Sequence, residues 1–180
     1  MLSTLAYGSI GFLAPLMYVL LGLVPVVYLV VRWRTYRESG PADPQLGLKV
    51  ALFHFRTLGY QIALAGLFCL LYIPFNEEAR SDMLRIGGPL LISGLLIYGA
   101  HRFFLMKTNQ AAFPAVGRLY QGFNLVACGL AGSAALVATL MLLAMEDADA
   151  RAVMGGMVAL LVYGGAWGAQ GFSFFRQLKA

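Results

Sequence analysis

The chain has 180 residues, 60% of them hydrophobic and 12% charged, with a formal net charge of +5. A soluble domain of this length could not bury so much apolar surface, and little chain is left over for a separate catalytic domain. The positive charge is not a nucleic-acid footprint, because it sorts to one side of a membrane once the apolar stretches are threaded through a bilayer.

Crossing ~30 Å of hydrocarbon takes ~20 apolar residues. Five stretches meet that need, at about 10–31, 49–73, 86–105, 119–144 and 153–175. The expected fold is all-α: a polytopic membrane protein, five transmembrane helices bundled into one domain over 1–180. The first stretch carries no basic region ahead of it, and Arg32-Trp33-Arg34 follows it. That order reads as a retained first span and not as a cleaved signal peptide. Pro15 and Pro25 lie inside this span, which membrane helices tolerate when neighbours satisfy the freed carbonyls. Tyr28, Trp33 and Tyr36 follow at the depth where aromatic rings settle between lipid and water. Glu38-Ser-Gly-Pro-Ala-Asp-Pro44 then makes a proline-broken loop.

Alternate threading places Arg32, Arg34, Arg37, Lys49, Arg56, Arg102, Lys107, Arg118, Arg176 and Lys179 on one side. Arg80, Arg85 and Arg151 fall on the other, among Glu77, Glu78, Asp82, Glu146, Asp147 and Asp149. Lys/Arg excess marks the cytoplasmic side. The expected orientation is N-terminus outside and C-terminus cytoplasmic, in a bacterial inner membrane. The basic rim favours anionic lipid headgroups.

The last four spans read as one hairpin written twice, over 49–105 and 119–175. Tyr60-Gln61 recurs as Tyr120-Gln121, and Gly87-Gly88 as Gly155-Gly156. Tyr98-Gly99 recurs as Tyr163-Gly164, and Phe103-Phe104 as Phe174-Phe175. Both units run in the same direction, so the expected relation is a parallel repeat. Small residues also form stripes: Gly59, Ala63 and Gly66; Ala127, Ala131, Ala134 and Ala138; Gly164, Gly168 and Gly171. Small side chains let helix backbones approach closely in lipid. Such stripes serve packing within the chain or an oligomer face, and the glycines of the fifth span are the first choice for the latter.

Polar residues within spans are costly and default to functional candidates. They gather in the cytoplasmic half as Arg56, Gln61, Arg118, Gln121, Asn124 and Gln170, a candidate polar pocket. Gln61 is roughly 20 Å into its helix and needs a partner, for which Gln121 and Asn124 qualify. The outer half is nearly pure apolar, and no carboxylate lies mid-membrane, which argues against a proton- or sodium-coupled transporter. No metalloprotease or nucleophile-elbow motif occurs, and two His and two Cys give a zinc site little to draw on. Cys69 and Cys128 are not spaced as C-x-x-C and read as apolar filler.

The leading expectation is therefore non-enzymatic: an oligomerising scaffold, effector or accessory subunit, bound to itself or to partner membrane proteins, with no resident cofactor. One alternative is an electron-transfer subunit. His54 and His101 fall at matching depth on neighbouring spans and could ligate haem b from both faces, with Arg56 and Arg102 on the propionates. The repeat puts no His at the equivalent of either position, and lone interfacial His residues commonly bond to water, headgroups or backbone. A second alternative is a small channel, transporter or lipid-handling protein using the polar pocket.

Overall fold

The computed structural model describes residues 23–34, 37 and 43–178. Most of the first expected span, with Pro15, lies outside these residues, as do Tyr36 and Lys179. Among the described residues all regular structure is helical. Helix α1 runs over 23–34. Helix α2 is Leu46–Tyr72, α3 is Arg80–Leu105 and α4 is Phe113–Leu143. Helix α5, Ala150–Ala159, passes through a π-helical turn at Leu160–Gly164 into α6, Gly165–Leu178. Four stretches are long and apolar enough to cross a membrane: Leu46–Phe75, Glu77–Leu105, Phe113–Leu143 and Ala150–Arg176. This is the build of an integral membrane protein.

The helices begin earlier than the apolar runs. Helix α3 starts at Arg80 instead of 86, and α4 at Phe113 instead of 119. The first turn of α3 is polar, and that of α4 is broken by Pro114 and Gly117, yet a helix extends through such ends when the termini are capped. The Asn76 side chain accepts from the Ala79 N–H just before α3, and Asp149 accepts from the Arg151 N–H at the start of α5. Pro74 sits in a short 3₁₀ turn, Ile73–Phe75, where its missing N–H ends α2.

The chain forms two compact units, Met1–Gln61 with Gly94–Tyr120, and Ile62–Ser93 with Gln121–Ala180. The first has a core of Val31, Leu46, Val50, Leu52, Phe53, Leu105, Val116 and Tyr120. Phe53 is its centre, stacked on Tyr120 at 6.1 Å and edge-on to Phe113 at 5.1 Å. Helices α2 and α3 nearly touch at Gly59: a Cβ there would lie 2.6 Å from the Tyr98 nitrogen and 2.8 Å from the Gly94 oxygen.

The second unit is also knitted by glycines. Gly66 faces Gly87 and the Leu91 backbone, and Gly156 faces the Thr139 hydroxyl. Gly132 meets the backbone of Gly164, and Gly129 meets the Trp167 indole. At one end, Tyr72 donates to the Arg151 carbonyl at 2.9 Å, and Arg151 pairs with Glu78 at 2.7 Å. The two acidic loops thus come together. In the first unit the loop before α2 meets the loop before α4.

Candidate functional site

Helix α2 buries a polar stripe in an otherwise apolar span. His54, Thr57 and Gln61 share one face by their spacing of three and four. They are only 3%, 1% and 3% exposed. Tyr120 of α4 packs against this face, its ring 6.2 Å from the His54 imidazole. Arg56 turns aside and holds its guanidinium over the Phe53 ring at 4.7 Å and the Tyr98 ring at 5.9 Å.

The two histidines have different surroundings. His101 is half-buried, and its Nδ1 bonds to the Ile97 carbonyl at 2.7 Å, one turn back on α3. Its ring stacks on Phe55 at 5.2 Å. His54 meets the same Phe55 edge-on at 5.5 Å. A phenyl ring therefore touches both imidazoles. Of the remaining polar candidates, Asn124 is buried, Gln121 and Gln170 are half-buried, and Arg118 is exposed with its Nε donating to the Pro114 carbonyl.

The expected small-residue faces divide. Gly59, Gly66, Gly164 and Gly171 meet side chains or backbone of their own chain, and Ala63 is buried. Gly168 is exposed, with nothing within 4 Å of where a Cβ would sit. The second unit also holds an open groove of about 250 Å³, whose lining includes Gly129, Gly132, Ser133, Leu136, Gly164 and Trp167. The π-helical turn Leu160–Gly164 forms one wall. Such turns interrupt the regular ridge of side chains and cluster at functional sites.

Two features escaped the sequence reading. The first is a buried latch. Lys49 is fully buried and its ammonium donates to the Asp43 carboxylate at 2.5 Å, to the Asn109 side chain and to the Ala111 carbonyl. The Gln45 side chain accepts from the Asn109 N–H at 2.8 Å. The latch grips the loop beside Ala112, whose φ of 53° is left-handed and disfavoured for any residue with a Cβ. Partial burial pushes the Asp43 carboxyl up, but hydrogen bonds from Lys49, the Gln45 N–H and Asn109, with the Lys49 charge, outweigh it and hold it below its ordinary value. The sequence signal was thin: Asp43-Pro44 ahead of an apolar run marks a helix start, but nothing links it to Asn109.

The second is a repeated aromatic–basic pair. Tyr28 lies under Arg32, Trp33 under Arg37, Phe103 under Lys107 and Phe172 under Arg176, at 4.5–6.0 Å. Each base follows its ring by four residues, a spacing visible in the sequence.

Among the described residues, no group of three or more His, Cys, Asp or Glu side chains gathers as metal ligands would. Comparison with known proteins finds no family model, curated protein or solved structure that matches this chain.

Proposed function

We propose that this chain is a non-enzymatic integral membrane protein, an oligomerising scaffold or accessory subunit that works by packing against a second copy of itself or a partner membrane protein. The observation that carries this reading is the groove beside the π-helical turn. Its lining residues belong to two of the stretches long and apolar enough to cross a membrane, Phe113–Leu143 and Ala150–Arg176. Its floor is made of glycines, and Trp167 stands half-exposed at its rim. Close backbone approach is the main source of helix–helix affinity in lipid. Gly59 and Gly66 are already used inside the chain, whereas Gly168 and the groove face outward.

In this reading the chain has five transmembrane helices, α1 completing the first span. Two parallel hairpin repeats, 49–105 and 119–175, make up the remainder. The N-terminus is outside and the C-terminus cytoplasmic, in a bacterial inner membrane. The aromatic–basic pairs support this orientation. All four sit at or just beyond the C-terminal ends of α1, α3 and α6, with the ring one turn deeper than the charge, as interfacial anchors are arranged. The charges suit anionic headgroups on that side.

The test uses Ser133→Cys, at the exposed edge of the groove, in a background with Cys69 and Cys128 replaced by Ala. Oxidation in native membranes is expected to give a dimer band or a cross-link to a partner subunit. Gly168→Leu is expected to weaken self-association in nanodiscs, read by native mass spectrometry. A chain that is strictly monomeric in nanodiscs and forms no cross-link in its own membrane overturns the proposal.

A further inference from the structure

Three side chains of the first unit are almost wholly buried, yet these polar atoms have no hydrogen-bond partner among the described residues: His54 Nδ1, Thr57 Oγ1 and the Tyr120 hydroxyl. A buried polar group left unsatisfied is rare and costs about 1–3 kcal/mol. Here three occur together, on the facing surfaces of α2 and α4. Thr57 is one turn along α2 from His54, and the His54 and Tyr120 rings are in edge contact.

The chain shows how it satisfies the same groups elsewhere. The hydroxyls of Ser93 and Thr139 each donate to a carbonyl three or four residues back in the helix, and Thr108, just past α3, donates to the Leu105 carbonyl. That bond is local and open to a helical Thr, but Thr57 does not make it. His101 bonds through Nδ1 to the carbonyl four residues back, and His54 does not. The Tyr72 hydroxyl finds the Arg151 carbonyl, and the Tyr120 hydroxyl finds no partner among the described residues. Three residue types, each with a satisfied counterpart in this chain, are left open at one place.

We infer that His54, Thr57 and Tyr120 form an internal water site, a polar node held inside the membrane-spanning part of α2 and α4. Water is the guest that fits the chemistry. It both donates and accepts, so it serves either histidine tautomer and either hydroxyl rotamer. A buried water makes about three hydrogen bonds, which is the number of open groups here. Phe53 stacks on Tyr120 and meets Phe113 edge-on, so the rings beside the node are apolar and suit a neutral guest better than an ion. The node goes beyond the assembly role and is independent of it.

Two measurements on the full chain in nanodiscs test the node. The first is X-ray radiolytic labelling read by mass spectrometry, in which radicals form from water already in place. His54 and Tyr120 are expected to be oxidised at short exposures despite their burial, and His54 labelling should fall in a Thr57→Val/Tyr120→Phe variant. The second is the direction of the thermal shift. Tyr120→Phe and Thr57→Val are near-isosteric; if water bridges the groups, each lowers Tm. If the groups are orphaned and dry, each raises Tm by removing an unsatisfied hydroxyl. Absence of labelling at both residues, or a raised Tm in either variant, overturns the inference.

Discussion

Gly59→Ala should loosen the α2–α3 pair by an amount that can be isolated from the other effects of the substitution. The added methyl would lie 2.6 Å from the Tyr98 nitrogen and 2.8 Å from the Gly94 oxygen. These are backbone atoms and cannot rotate away, so the helices must part by most of an ångström. Overpacking of this kind costs ~1–3 kcal/mol. Alanine also gains ~1 kcal/mol of helix propensity over glycine, which offsets part of that loss. Gly99→Ala supplies the control: it lies on the exposed side of α3, with nothing within 4 Å of the new methyl. It gains the same propensity and meets no clash. The difference between the two variants is therefore the packing term alone, ~1–3 kcal/mol. Equilibrium unfolding in mixed micelles, or steric trapping in bicelles, measures it. If the two variants agree within about 0.5 kcal/mol, the scatter expected of independent sites, the close α2–α3 approach is wrong.

Three further outcomes are expected. Cysteine introduced at Asn76 should react with an impermeant thiol reagent in intact cells and cysteine at Thr108 should not; the reverse pattern inverts the proposed orientation. The Asp43 carboxyl is held below its ordinary value in the folded protein, so its share of stability is full above about pH 4 and is lost as pH falls through the lower folded value. An acid unfolding curve should thus shift to higher pH in Asp43→Asn, and Lys49→Met should destabilise by up to ~3–5 kcal/mol by leaving Asp43 buried without its cation. Protein made under haem-replete expression should be colourless; a Soret band lost in both His54→Ala and His101→Ala would replace the assembly reading with electron transfer.

Hydropathy alone located the four spans that the structure contains beyond α1, because ~20 apolar residues in a row have few other stable fates. The helix starts were misplaced for a physical reason. Arg80–Arg85 is charged in sequence and Phe113–Arg118 is broken by Pro114 and Gly117, but both continue the same hydrogen-bond ladder, and hydropathy cannot see that ladder. The π-helical turn was illegible, since Leu160–Gly164 carries no residue that demands it. Glycine spacing identified which faces are small but not what they meet. Gly59 and Gly66 turned out to face α3, Gly164 to face Gly132, and Gly168 to face outward.

The polar residues divide along the same line. His54 and Gln61 stood out because a polar group in an apolar span is conspicuous one residue at a time. Lys49 was read only as a topology charge, because its partners Asn109 and Ala111 are some sixty residues away in the chain. Thr57 went unremarked because a helical threonine normally satisfies itself, and only the structure shows that this one does not. Tyr120 was noticed as half of a repeated dipeptide, yet its surroundings differ from those of its counterpart: it is buried beside His54, whereas Tyr60 is half-buried against Tyr98. Tyr120 lies in the core of the first unit, where its hydroxyl gains nothing unless something small and hydrogen-bonding is there to meet it. The polar node and the outward groove lie in different compact units. Substitutions at Tyr120 should therefore change stability and hydration without changing assembly, and Gly168→Leu should do the reverse; a variant of either kind that shifts both would show that the two sites act as one.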